Sequence, residues 1–368
     1  MSITRIAGGV RGDGRGASPA SPRANAVRVT APARLHLGFL DPGASLGRRF
    51  GSLGLVIEGF DTVVMLGRAA IGGDDDLILA AGALERHAVP RAREVLAALR
   101  GATGMRDALT LHLEQVPTAH AGFGTGTQLA LAIGRAFATL HGLVIETPAL
   151  ARITGRGLRS GVGIAGFDVG GLLVDAGPSP APPRGAAGAS ELDAPFPSGE
   201  PAPLVARVEL PAAWRVLLVL DPRTSGLHGD AERAALAQLP PLPREQAAAL
   251  CHDTLMQVLP GAMEGDFASF AAGLNRMQRL LGEHFAPAQD GRAFTSAAVG
   301  HALEALAALR PAAIGQSSWG PTGFAIVPGS EGLDAWLERA RGDGVVDAAL
   351  ECRVVQPRAR GAVVARLP

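Results

Sequence analysis

With 368 residues the chain has room for two domains of about 150 residues each, and its balance of 47% hydrophobic to 18% charged residues excludes a disordered protein. Its 34 basic residues cancel 34 acidic ones and no run approaches the ~18 apolar residues of a bilayer span, so neither nucleic acid nor a membrane is the expected partner. Cys251 and Cys352 fit no metal or redox spacing, glycine and proline supply about a fifth of the chain, and the absence of lysine leaves phosphate binding to arginine, whose planar fork grips phosphate through two hydrogen bonds.

Residues 1–26 are rich in glycine, alanine, serine and arginine. They carry neither an amphipathic stripe nor a secretory apolar core, and read as a flexible extension on a cytoplasmic protein. Folded structure is expected from Val27. Val27 and Val29 alternate with Arg28 and Thr30, and Leu35, Leu37 and Phe39 resume beyond Pro32, the period of a half-buried strand. A turn-rich stretch from Asp41 to Gly51 leads to a second strand, Leu53–Ile57. A helix is predicted over Pro90–Leu99 and a strand over Leu109–Leu113. After the glycines at 122–126, Leu129, Ile133, Phe137 and Leu140 keep helical spacing with Gly142 as C-cap. Thr147-Pro148 reads as an N-cap followed by proline at the first helical position. Residues 178–205, proline, alanine and glycine without periodicity, are a linker or a long surface loop. A strand over Trp214–Leu220, helices between residues 230 and 310, and strands near 323–327 and 352–355 follow. The mixture is not a repeating βαβ pattern, so two α+β domains are expected, 27–205 and 206–368.

Three polar, glycine-rich loops interrupt this pattern. In the first, Val116–Gln128, a strand ends, Gly122, Gly124 and Gly126 let the backbone curl, and a helix begins. Free N–H groups and the positive dipole end of a helix make an anion site, to which Thr125 and Thr127 add hydroxyls; the alternative is a turn that only packs the helix close to the sheet. No Lys-Ser/Thr pair follows, so it is not a nucleotide P-loop, and GxGxxG is not met, so it is not a dinucleotide fingerprint. The second loop, 155–171, offers Arg156, Arg159 and Ser160 for phosphate oxygens and Asp168 as a lone acid for a magnesium ion or a developing positive charge; salt-bridged surface residues are the alternative. The third, 315–323, sets Gln316, Ser317 and Ser318 inside an apolar stretch, as phosphate contacts or as a simple turn.

Together these segments resemble the GHMP superfamily of small-molecule kinases, and within it the β-ribofuranosylaminobenzene 5′-phosphate synthase family. The resemblance is carried by Ala33–Phe39, Ser45–Gly54, Gly155–Gly171, Gly226-Leu227-His228-Gly229 and the run Gln316-Ser317-Ser318-Trp319-Gly320-Pro321-Thr322, and it spans residues 28–358. It implies a two-domain α+β fold, with an N-terminal ribosomal-protein-like α/β domain and a C-terminal ferredoxin-like α+β domain. It also implies a pentosyltransferase of tetrahydromethanopterin synthesis that joins phosphoribosyl pyrophosphate (PRPP) to 4-aminobenzoate or 4-hydroxybenzoate, with Mg²⁺ as cofactor. A homodimer is the oligomeric state the fold family suggests.

Under that resemblance the 122–127 loop takes the pyrophosphate, and Arg156, Arg159 and Ser160 take either phosphate. Asp168 stabilises the oxocarbenium-like sugar or, with Thr127, holds the metal, so that Asp168→Ala should cut turnover sharply. Arg34 and His36, on one face of a strand, are candidates for the carboxylate of the aromatic acid, with Arg48 and Arg49 as others. His228 is a phosphate contact or a helix cap, and His120 has no specific claim. The rival readings are an ATP-dependent kinase of a small alcohol and a non-catalytic binding protein on the same scaffold.

Overall fold

The computed structural model describes residues 25–69, 76–157, 159–178, 202–227 and 229–368. The extension over 1–24, most of the 178–205 stretch and His228 lie outside the described residues. The strands of the described residues are β1 (Ala26–Asp41), β2 (Phe50–Arg68), β3 (Leu77–Leu79), β4 (Leu109–Gln115), β5 (Leu172–Asp175), β6 (Leu204–Val208), β7 (Arg215–Leu220), β8 (Ala313–Gln316), β9 (Thr322–Val327), β10 (Glu351–Val355) and β11 (Val363–Leu367). One sheet runs β11-β1-β2-β4-β3, with β5 joined to β2 and β6 to β5; the other runs β10-β7-β9-β8. The chain's last strand therefore returns to its first, Ala26 opposite Leu367 and Thr30 opposite Val363.

The alternation around Pro32 becomes one strand with a bulge between Ala31 and Ala33. Proline, which has no N–H to give to a ladder, is tolerated at such a break. The bulge also redirects the strand. Val27, Val29 and Ala31 enter a core under the helices Val89–Thr103 and Thr125–His141, whereas Ala33, Leu35 and Leu37 enter a second core. That second core is shared by both sheets: Leu53 and Leu55 of β2 meet Val216 and Leu218 of β7, Phe324 and Ile326 of β9, and Phe270 and Leu274 of the helix Phe267–Phe285. The opposite parity of β7 and β9, Leu217, Val219, Ala325 and Val327, packs under the helix Ala297–Leu309. With both faces buried, these strands read as continuous apolar runs.

Two local expectations change. Thr147 is the first residue of the helix Thr147–Ile153 rather than its cap: its hydroxyl donates to Asp168 Oδ1 at 2.6 Å and accepts from Arg135 Nη2 at 2.8 Å, not from the free N–H groups of its own helix. The stretch read as a polar loop over 155–171 contains the helix Val162–Val169, whose small apolar residues are buried on several sides and so show no amphipathic period.

Candidate functional site

The glycine loop is built by backbone geometry. Gly122 (φ 95°) and Gly124 (φ 71°) take left-handed conformations, and Gly124 caps the helix Thr125–His141 through its carbonyl, which accepts from Thr127 N (3.0 Å) and Gln128 N (3.1 Å). A Cβ on Gly122 would stand 2.8 Å from the Ser317 carbonyl oxygen, and one on Gly124 3.0 Å from Arg34 Cζ, so glycine is what permits the close approach of both neighbours.

That approach is fastened by hydrogen bonds. Ser317 Oγ donates to Gly122 O (2.7 Å) and accepts from His36 N (3.0 Å); Ser318 N donates to His36 O (3.1 Å); Thr322 Oγ1 donates to Ala121 O (2.5 Å). Three segments far apart in the chain, 34–36, 121–127 and 316–322, thus form one floor.

A cleft of about 640 Å³ opens on it, lined by Arg34, Arg91, Thr125, Thr127, Arg156 and Glu232 among others. Arg34 Nη1 donates to Gly122 O (3.0 Å), while its Nε is buried with no hydrogen-bond partner. Arg156 lies over Gly126 and its Nε is likewise buried and unpartnered. Burial lowers both guanidinium pKa values to about 10, and Arg91 presses further on Arg156. Both remain charged at neutral pH. Two largely buried cations with orphaned Nε–H groups, beside a helix start, are costly in isolation and are relieved by an anion. The carboxylate in the cleft, Glu232, pairs with Arg159 (2.7 Å) and accepts from Trp319 Nε1 (3.1 Å).

The remaining sequence candidates fall in several places. Gly122, Gly124, Thr125, Gly126, Thr127, Arg34, Arg156 and Ser318 line the cleft, and so does His120. Ser317 is fully buried as a fastener. Gln316 accepts from Thr295 N and donates to Gln289. Arg159 is held by Glu232, and Ser160 shares a network with Ser52 (2.7 Å) and Asp175 (3.3 Å) that anchors the start of the helix Val162–Val169. Arg48 and Arg49 donate to the carbonyls of Ala176 and Pro42. Arg91 and Glu232 were not singled out from the sequence: both sit in helical stretches where a charge reads as a solvated face.

Asp168 is not brought to the cleft. Its exposed carboxylate accepts from Thr147, which in turn accepts from Arg135, ten residues along the helix from Thr125 and so about 15 Å from the glycine loop. Asp168→Ala is accordingly expected to keep turnover within about twofold and to cost about 1 kcal/mol of stability, the value of one hydrogen bond, read by steady-state rate and urea midpoint.

The magnesium implied by the resemblance meets no preformed cage. Among the described residues no group of three or more His, Cys, Asp or Glu side chains is placed to hold an ion. Thr127 and Asp168 do not share a site, and Glu232 is engaged by Arg159 and Trp319. The donor set does not fit a metal held by the protein alone.

A second, more apolar compartment of about 370 Å³ adjoins the cleft, sharing Ser318 and Trp319 with it and lined by His36, Phe39, Leu281, Phe285 and Ile314. His36 is 5% exposed, its Nε2 has no partner, and Phe39 meets its ring edge-on at 4.6 Å. Burial, with Arg34 two residues away, drives its pKa to about 3, so the imidazole is neutral at working pH.

The architecture is that of the GHMP kinases. A homoserine kinase from Cytophaga hutchinsonii superposes with a TM-score of 0.59 over 94% of this chain and 99% of its own, at 14% identity. Lactococcus lactis galactokinase complexed with galactose gives 0.65 over 93% and 95%, at 12% identity. Sequence likeness is narrower. Relatives named β-ribofuranosylphenol 5′-phosphate synthase are 32% identical over 336 residues in Archaeoglobus fulgidus (91% of this chain, 97% of the relative) and 30% over 250 residues in Methanothermobacter thermautotrophicus (68% and 74%). No protein-family model matches the chain. The chain belongs to the β-ribofuranosylphenol 5′-phosphate synthase family and is an enzyme of the pentosyltransferase type. Among the described residues no helix is long and apolar enough to cross a membrane.

Proposed function

We propose that the enzyme transfers the ribosyl 5′-phosphate group of PRPP to 4-hydroxybenzoate, releasing pyrophosphate and CO₂, as a cytoplasmic step of tetrahydromethanopterin synthesis. The observation that carries the reading is the pair of guanidiniums Arg34 and Arg156, each with a buried, unpartnered Nε at the glycine loop. The phenol in the relatives' name favours the hydroxy acid over 4-aminobenzoate as acceptor.

The anomeric C–O bond breaks with its electron pair leaving on pyrophosphate, where Arg34, Arg156 and the first turn of the helix Thr125–His141 meet the growing negative charge. The ring carbon that bears the carboxylate supplies a π pair to the anomeric carbon, pushed by the para hydroxyl. The C–CO₂ bond then breaks and returns its pair to the ring. No ring proton moves, so no dedicated base is required. Magnesium would arrive bound to the pyrophosphate of the substrate rather than be held by the chain.

The test is release of labelled CO₂ from carboxyl-labelled 4-hydroxybenzoate by the purified protein with PRPP and Mg²⁺. Release that requires PRPP is the expected result. A folded protein that releases none from either benzoate, but is thermally stabilised by ATP, overturns this reading and puts the kinase first.

A further inference from the structure

The two compartments meet at one point, and the proposed reaction constrains what can sit there. The ring carbon that attacks the sugar is the same carbon that carries the carboxylate. With the pyrophosphate at the glycine loop, the carboxyl-bearing edge of the acceptor must therefore face the junction and the rest of its ring must lie beyond it. The junction is formed by Arg34 and His36 on one face of β1, the first lining the anion cleft and the second the apolar compartment, and by Ser318 and Trp319, which line both. Beyond it, Phe39, Leu281, Phe285 and Ile314 offer apolar and aromatic surface in a space of about 370 Å³. We infer that this compartment seats the ring of a flat aromatic acid, with its carboxylate at the junction against His36.

The inference rests on the reading of the reaction given above and adds to it the acceptor's seat and the residue that meets its carboxylate. His36 suits the place for two reasons. Its Nε2 is buried and unpartnered, so a ligand group that pairs with it satisfies an atom that is otherwise orphaned. Its backbone is fixed independently, N–H to Ser317 Oγ and C=O from Ser318 N, and the Phe39 ring packs edge-on against the imidazole, so the residue is held before any ligand arrives.

The compartment's character also bears on the chemistry. An arginine at the carboxylate would stabilise the anion against departure as neutral CO₂. An imidazole held neutral by its burial and by Arg34 donates one uncharged hydrogen bond and leaves the carboxylate in mostly apolar surroundings. Arg34 is turned to the Gly122 carbonyl, and the compartment's own arginine, Arg279, is an exposed residue of the helix Phe267–Phe285.

The experiment is equilibrium binding by calorimetry, without turnover, in the presence of saturating pyrophosphate and ribose 5-phosphate so that the donor side is filled. The probes are 4-hydroxybenzoate and 4-methylphenol, which keeps the ring and hydroxyl but replaces the carboxylate by a methyl group. His36→Leu is expected to weaken 4-hydroxybenzoate about tenfold and to leave 4-methylphenol unchanged, with His36→Gln intermediate. Ala307→Trp, which fills the compartment from its half-buried wall, is expected to abolish binding of both.

Equal losses for both probes in His36→Leu, or unchanged 4-hydroxybenzoate affinity, would overturn the role of His36. Unchanged binding of both probes in Ala307→Trp would overturn the seat. Pyrophosphate binding, measured alone on each variant, reports the fold and separates the two levels. If wild-type protein binds no pyrophosphate, the reaction itself is misread; if pyrophosphate binds and neither aromatic does, only the acceptor seat is wrong.

Discussion

Arg34→Met is expected to lower kcat/KM for PRPP by about a hundred- to a thousandfold, the range seen when one buried donor to a developing anion is removed. The loss should be purely functional. Gly122 O, which accepts from Arg34 Nη1, keeps its 2.7 Å bond from Ser317 Oγ, so the glycine loop retains a fastening. The guanidinium is buried with Nε unpartnered, so the empty protein gives up a desolvated cation rather than a satisfied pair. Replacing such a group by an apolar one of similar length is neutral or stabilising. The melting temperature without ligand should therefore stay level or rise while the stabilisation by pyrophosphate disappears. Arg34→Lys should recover little, because an ammonium is a point charge and cannot present a fork to a phosphate and a carbonyl together. A variant with kcat/KM within about threefold of wild type would mean that the pyrophosphate is held elsewhere, with Arg156 and Arg91 the next cations in the cleft.

What the sequence disclosed and what it hid follow from how each feature is encoded. The glycine loop was legible because a strand, a left-handed turn and a helix start are local, and the residue types that permit them lie side by side. So were the period-2 faces of β1 and the Gly142 cap of the helix Thr125–His141. The short strands β5, β8 and β11 were not read, because four or five residues give too little alternation, and their pairing with β2, β9 and β1 is a property of distant segments.

The same division runs through the site. Arg156 and Thr127 lie in or beside glycine-rich stretches and were found; Arg34 was singled out on a strand face with His36, for the acceptor carboxylate rather than the anion cleft it lines; Arg91 and Glu232 lie on helices whose surfaces carry many charges and were not found. Asp168 stands after a glycine-rich run, which made it look functional, yet tertiary packing turns it to Thr147. Of the apolar compartment only the polar rim, His36, Gln316 and Ser318, had a local signal. Its apolar walls, Phe39 near the start of the chain, Leu281 and Phe285 of the helix Phe267–Phe285, and Ile314, read in isolation as ordinary core.

Gly122→Ala is the substitution expected to damage both fold and function. At φ 95° an added Cβ costs about 1–2 kcal/mol through backbone strain alone. The new atom would also stand 2.8 Å from the Ser317 carbonyl oxygen, a backbone atom that cannot swing aside as a side chain would. Relief requires the 122 and 317 segments to part, and the same movement stretches the two bonds that converge on Gly122 O, from Ser317 Oγ and from Arg34 Nη1. A total of about 3 kcal/mol corresponds to a fall of about 4 °C in melting temperature for a chain of 368 residues. Turnover should fall by at least about a hundredfold, since Arg34 loses its alignment along with the loop. Gly101→Ala supplies the control. Gly101 lies inside the helix Val89–Thr103 with open space around its Cβ position, and alanine there should be neutral or stabilising by up to about 1 kcal/mol. If the two variants melt within a degree of each other, the contact between the glycine loop and the 317 segment is not what holds the cleft floor together, and the anion site must then be organised by the helix start alone.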